Sequence, residues 1–170
     1  MINFSSKSQT LIETIAAVGI VIIALIAILS LSFSNLMIGE RGGERITATG
    51  LAREGLEVVR NIRDSNWLDP NKYWPYGLNN GFYIVNYNST SLTNADSSTI
   101  SSCDNCRLYL TTNGLYTHNP LGNTLTPFRR LITISDGDNS FEKKITVEVF
   151  WSGRGGSHLI RLEERLTNWR

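Results

Sequence analysis

Between Thr14 and Gly39 the sequence has no Asp, Glu, Lys or Arg. Other residue types are also scarce. The 170 residues hold two cysteines, two histidines and four prolines. Two cysteines allow one disulfide at most. No G-x-S-x-G, H-E-x-x-H or phosphate-cradling glycine loop occurs, so the familiar hydrolase, zinc-protease and nucleotide-binding signatures are missing. No internal repeat is evident. Sixteen basic residues face fifteen acidic ones, a net charge of +1, which gives no general pull toward nucleic acid or anionic lipid.

The charge-free run is 26 residues long. As a helix it would reach roughly 39 Å, enough to cross a hydrocarbon layer of about 30 Å with some tilt. Its strictly apolar centre, Ile15 to Leu29 with Gly19 included, is shorter and would pass for the core of a secretory signal. Three readings compete: a retained membrane helix, a cleaved signal and a buried core helix. The length and N-terminal position count against a core helix. Ordinary signal cleavage is disfavoured because only Lys7 is basic at the start, Glu13 opens the run, and Phe33, Leu36, Met37 and Ile38 carry it past any small-residue cleavage site.

From Glu40 to Asp64 the pattern becomes amphipathic. Leu51, Gly55, Val58 and Ile62, flanked by Ala48, Ala52, Leu56 and Val59, make a stripe that can dock on a sheet. Arg53 with Glu57 and Arg60 with Asp64 have the spacing of i,i+4 ion pairs. "IGERGG" at Ile38 to Gly43 is the weak point, since each helical glycine costs about 1 kcal/mol relative to alanine. The helix should end near "RDSNWLDP", before Pro70. A polar stretch follows, with one strand-like run, Phe82 to Tyr87. "NYNSTSLTNADSSTISS" reads as surface loop without evident chemistry.

The last third is strand-rich. Asn113 and Gly114 mark a hairpin between "CRLYLTT" and "GLYTH". "FRRLITIS" is a strand ending at "DGDN". "KKITVEVFW" alternates, with Ile145, Val147, Val149 and Trp151 on one face and Lys144, Thr146, Glu148 and Phe150 on the other. "SGRGG" reverses the chain into "SHLIRLEERLTNW". The expected fold class is α+β: a long N-terminal helix, membrane-spanning in its first half and amphipathic in its second, packed on a C-terminal antiparallel sheet.

Several other residues invite a chemical reading. Cys103 and Cys106 form the only C-x-x-C; a short-loop disulfide in an exported domain is favoured over a redox dithiol, a zinc site or free thiols. His118 and His158 have no metal-finger spacing and read as packed or solvent-facing. Trp67, Tyr73, Trp74 and Tyr76 read as a cover over the helix–sheet junction, or as a contact surface for a subunit or glycan. Arg129, Arg130, Lys143 and Lys144 make a mild basic region that falls short of a DNA-binding stripe. No cofactor or metal is expected, and the chain does not read as an enzyme.

A carboxylate at the mouth of an apolar helix still needs a reason, because acids inside a bilayer are costly. "SQTLIETIAAVGIVIIALIAIL" resembles the class III signal of type IV pilins and type II secretion pseudopilins. The C-terminal "KKITVEVFWSGRGGSHLIRLEERLTNWR" is similar, more loosely, to the last strands of PilV-like or GspI-like minor pilins. The motif match is Thr10, Leu11, Ile12 and Glu13. Ser8 stands where the family has glycine, Gln9 where it has phenylalanine, and the stem proline common in the family is absent. The resemblance implies processing between Ser8 and Gln9 by a prepilin peptidase and methylation of the new terminus. It also implies a filament-assembly pair between the Gln9 ammonium and a neighbour's Glu13.

On this reading residues 1–8 are a leader, 9–39 a transmembrane stem and 40–66 an amphipathic helix. Residues 67–106 are then a variable loop region and 107–170 the sheet. The expected partners are other pilin or pseudopilin subunits, the prepilin peptidase, the inner-membrane assembly platform and the cytoplasmic membrane. The chain would span the bacterial cytoplasmic membrane once before assembly and then join an extracellular or periplasmic filament. Orientation follows from the resemblance alone, since Arg41, Arg45 and Arg53 offset Lys7 under the positive-inside rule. The alternative function is a single-pass adhesin or binding domain that enters no filament.

Overall fold

A computed structural model describes residues 6–139, 141–153 and 156–168, with the side chains of 6–10, 37, 38, 40 and 41 left aside. One helix, α1, covers Ser6–Leu68. It ends two residues before Pro70, close to where the capping and turn residues place its stop. Helical hydrogen bonding continues through Gly39, Gly42 and Gly43, which face open space. The chain divides into two compact units, Met1–Gly43 and Glu44–Arg170. In the first, Leu11–Leu36 is a helical segment long and apolar enough to cross a membrane, and none of it is buried.

The second unit is a helix-on-sheet layer. Its strands are β1 (Gly81–Ile84), β2 (Thr93–Asn94), β3 (Arg107–Leu110), β4 (Tyr116–Thr117), β5 (Thr124–Asp136), β6 (Glu142–Gly153) and β7 (Gly156–Thr167). All pairings are antiparallel. The fold is therefore α+β with a seven-stranded sheet. The sheet is not confined to the last third. β1 and β2 join it from within residues 67–106, because β5 pairs β6 along one edge and divides its other edge between β3 and β1. Pro127, which has no N–H to donate, lies where the β3–β5 register shifts between Arg107 and Tyr109. There the Thr126 hydroxyl donates to the Leu108 carbonyl at 2.6 Å.

The stripe on α1 is buried as its spacing demands: Ala48, Leu51, Ala52, Val58, Val59 and Ile62 pack on Ile145, Val147, Val149, Trp151, Ile132 and Ile134. Burying each large aliphatic side chain contributes about 1.5–3 kcal/mol. The i,i+4 pairs do not form as spaced. Arg60 bonds Glu57 one turn back and reaches across to the Glu164 carboxylate on β7 at 2.7 Å, away from Asp64, which pairs with Arg63.

A smaller cluster covers the opposite face of the sheet: Ile84, Ile100, Leu131, Cys103 and Cys106. Cys103 and Cys106 are bridged, with Cα atoms 5.3 Å apart, and both are fully buried. The Arg129 guanidinium ties this loop to β5 by donating to the carbonyls of Ile100, Ser101 and Cys103.

α1 lies close on the sheet at Gly55. A Cβ there would lie 3.1 Å from Val147 Cγ1 and 3.2 Å from Arg130 Cδ. Replacing Gly55 by valine should therefore push the helix off the sheet. The expected cost is about 1–3 kcal/mol, read as a lower midpoint in urea unfolding of the full chain in micelles. An unchanged midpoint would mean that the neighbours yield without loss.

Candidate functional site

The feature that points to a function is the apolar segment and its entrance acid. Leu11 and Ile12 expose 60% and 70% of their surface. Glu13 is exposed on the same helix, with no hydrogen bond or ion pair among the described residues. The Thr14 hydroxyl donates to the Leu11 carbonyl at 2.9 Å and Ser32 to that of Ile28 at 3.0 Å, so these polar groups are satisfied inside the helix. Ser8, Gln9 and Thr10 lie on the helix, and their side chains fall outside the described residues. The chain thus offers a helix with apolar residues on all sides and one carboxylate near its start that has no partner among the described residues.

The four basic residues 129, 130, 143 and 144 do not form a free patch. Arg130 is fully buried. Its Nη1 donates to the Leu51 carbonyl at 2.9 Å and the Glu54 carboxylate at 2.8 Å, and its Nη2 to the Val85 carbonyl at 2.7 Å. Burial pulls its pKa down while Glu54 opposes that shift. Lys143 pairs with Asp136 at 2.6 Å and Lys144 with Glu163 at 2.9 Å. Hydrogen bonds from Lys143 and then Asn80 hold the Asp136 carboxyl below its ordinary value, and Lys144 does the same for Glu163.

His118 Nδ1 donates to the carbonyls of Asn105, at 3.0 Å, and Arg107, at 3.1 Å, which fixes the tautomer. It is a packing residue beside β3 and does not gather with other metal-binding groups. Among the described residues no set of three or more His, Cys, Asp or Glu side chains is arranged to hold a metal. His158 stacks on Trp151, ring centroids 5.2 Å apart. Trp151 Nε1 donates to the Glu44 carboxylate at 3.1 Å.

The aromatic cluster after α1 divides. Trp74 packs against the core, while Tyr73 and Tyr76 are exposed and meet edge to face at 5.8 Å. The Arg63 guanidinium lies over the Trp67 ring at 4.5 Å. The Asn66 amide, buried, donates to the carbonyls of Trp74 and Tyr76 and so fixes this loop on the helix end.

Set against known proteins, the chain matches no family model, no curated protein and no solved structure at a significant level.

His118 supplies a pH test. Burial, with Arg130 adding to it, pulls its pKa down to about 4, against an ordinary value of about 6.5. The unfolded chain then binds more protons than the folded one between these values. Stability is complete above pH 6.5 and falls as pH drops toward 4, by no more than about 3 kcal/mol. Thermal unfolding at pH 7 and pH 4.5 should show a smaller drop for His118→Gln than for the parent chain. Equal drops would assign the acid sensitivity to other groups.

Proposed function

We propose that this chain is a minor pilin or pseudopilin, a structural and non-enzymatic subunit of a type IV pilus or type II secretion-like filament. The observation that carries the reading is Glu13, without a partner among the described residues, at the mouth of an unburied apolar helix and within the motif Thr10, Leu11, Ile12, Glu13.

The physical logic runs from solvent to register. A 26-residue helix this apolar is prohibitive in water, so Leu11–Leu36 resides in a membrane until an apolar bundle of like helices replaces the lipid. Non-directional packing does not by itself set the axial position of one helix against the next. A carboxylate does, because in an apolar bundle it is costly anywhere except beside a cation. Peptidase cleavage between Ser8 and Gln9 creates such a cation at Gln9, four residues before Glu13. The ammonium of one subunit then pairs with the Glu13 of another. Before cleavage the same acid sits near the membrane edge, where its cost is smaller than at the centre.

Glu13→Ala separates insertion from assembly. In cells that build the filament, the variant should reach the membrane fraction at parental levels and fall at least tenfold in the sheared filament fraction. Glu13→Asp should recover part of that loss. Parental incorporation of Glu13→Ala would contradict the charge pair.

A further inference from the structure

A polar groove lies in the second unit between the C-terminal turns of α1 and two loops. Two adjoining pockets of about 370 and 260 Å³ share Ile62, Asn66, Lys72 and Thr90. The helix contributes Asn61 and Ser65, the first loop Tyr76, and the second loop Tyr87 and Asn88. Together the pockets fall in the size range of small-molecule sites.

The groove is held open by internal hydrogen bonds. On one side the Asn66 amide clamps the carbonyls of Trp74 and Tyr76 at 3.1 and 2.8 Å. On the other, Asn86 closes a turn with Ser89. The Asn86 side-chain oxygen accepts from the His118 backbone N–H at 2.8 Å and from the Thr117 hydroxyl at 3.2 Å, which fastens that turn to β4. The side chains that face the opening are otherwise uncommitted. Asn61, Ser65, Asn88, Thr90 and the Tyr87 hydroxyl make no side-chain hydrogen bond among the described residues.

The chemistry of this lining is specific. Amides and hydroxyls each both donate and accept, which suits a ligand rich in hydroxyl groups. Tyr87, about half exposed, presents a ring face with a polar tip, a surface on which the C–H face of a sugar ring packs, while the Tyr76 ring carries the Lys72 ammonium 5.6 Å from its centroid. Ile62 and half-buried Leu92 give a small apolar floor that fits a methyl group. No carboxylate lines either pocket, and the one charged lining residue is Lys72, 3.2 Å from Asp69 at the rim. Hydroxyls, an amide and one methyl describe an N-acetylated hexosamine, and Lys72 could meet the carboxylate that a muramic acid adds.

We infer that this groove binds a glycan containing N-acetylhexosamine, through Asn61, Asn88 and Thr90 to its polar groups and Tyr87 to its ring face. The inference does not rest on filament assembly and holds equally for a subunit or a solitary membrane-anchored protein. Two sources share the chemistry: cell-wall glycan strands, whose muramic acid adds a carboxylate, and surface glycans without that acid.

The test is calorimetric titration of the full chain in a detergent that has no sugar headgroup. The probes are chitotetraose, the N-acetylglucosamine–N-acetylmuramic acid disaccharide, and maltotetraose, which lacks the acetamido group. Saturable binding of chitotetraose or the disaccharide is expected, at least tenfold tighter than maltotetraose. The double variant Tyr87→Ala, Asn88→Ala should weaken it at least tenfold. Asn61→Ala, a change on the exposed helix surface, should weaken it severalfold even if the loop variant does not fold. Tighter binding of the disaccharide, lost in Lys72→Gln, assigns the cell wall as the source; otherwise the surface glycan is assigned. Absence of saturable binding by both acetylated probes, equal binding of maltotetraose, or binding that Asn61→Ala and the loop variant leave unchanged would overturn the inference.

Discussion

Among the described residues Leu11–Leu36 has no apolar partner within its own unit, and that constraint governs the rest of the structure. A soluble domain would bury such a helix; here no residue of the span is buried. On the proposed reading that burial comes from outside the chain, first from lipid and then from other helices. Both solvents tolerate the apolar surface equally well, so neither explains Glu13. The acid is the one group on the segment whose energy depends sharply on what stands beside it. That makes it the natural carrier of register, as a buried polar residue is in other helix bundles.

In the second unit the decisive contact is where α1 crosses β5 and β6 at Gly55. The missing side chain lets the helix settle on Val147 and Arg130. Arg130 in turn bonds the helix carbonyl at Leu51, the Glu54 carboxylate and the strand-exit carbonyl at Val85. A buried guanidinium costs desolvation, and it is tolerated because directional partners meet it from helix and sheet alike. It fixes the angle and register of the helix in a way that Val147 and Ile132 alone cannot, since aliphatic packing is non-directional. The Val85 carbonyl also links this contact to the segment that runs on into the Asn86 turn and one wall of the groove.

Local periodicity carried much of this into the sequence. The α1 stripe and the two faces of β6 follow from spacings of 3.6 and 2, and the Asn113–Gly114 turn from residue type. The Phe82–Tyr87 run was legible as a strand only as far as Ile84, where β1 ends before the Asn86 turn. Its pairing with β5 was not legible, because that depends on which segment occupies a distant edge. Arg130 is instructive. Read beside Arg129 it looks like surface charge, yet alternation with Phe128, Ile132 and Ile134 places it on the core face. The two arginines have opposite duties on opposite faces. The groove was hidden for a similar reason: helix residues 61–66 and loops 72–77 and 87–92 converge only in three dimensions, and the last of these reads as featureless loop. The entrance motif is a run of adjacent residues, so it can be read from sequence alone, and its role remains a proposal.

The central claim concerns what happens at that motif, and intact-mass and terminal-peptide mass spectrometry of the chain from membranes and from sheared surface material tests it most directly. The account predicts a mature terminus at Gln9 in both fractions, with methylation at that residue. An intact Met1, or a terminus near Ser34 beyond most of the apolar run, would contradict it, because no ammonium would then stand four residues from Glu13.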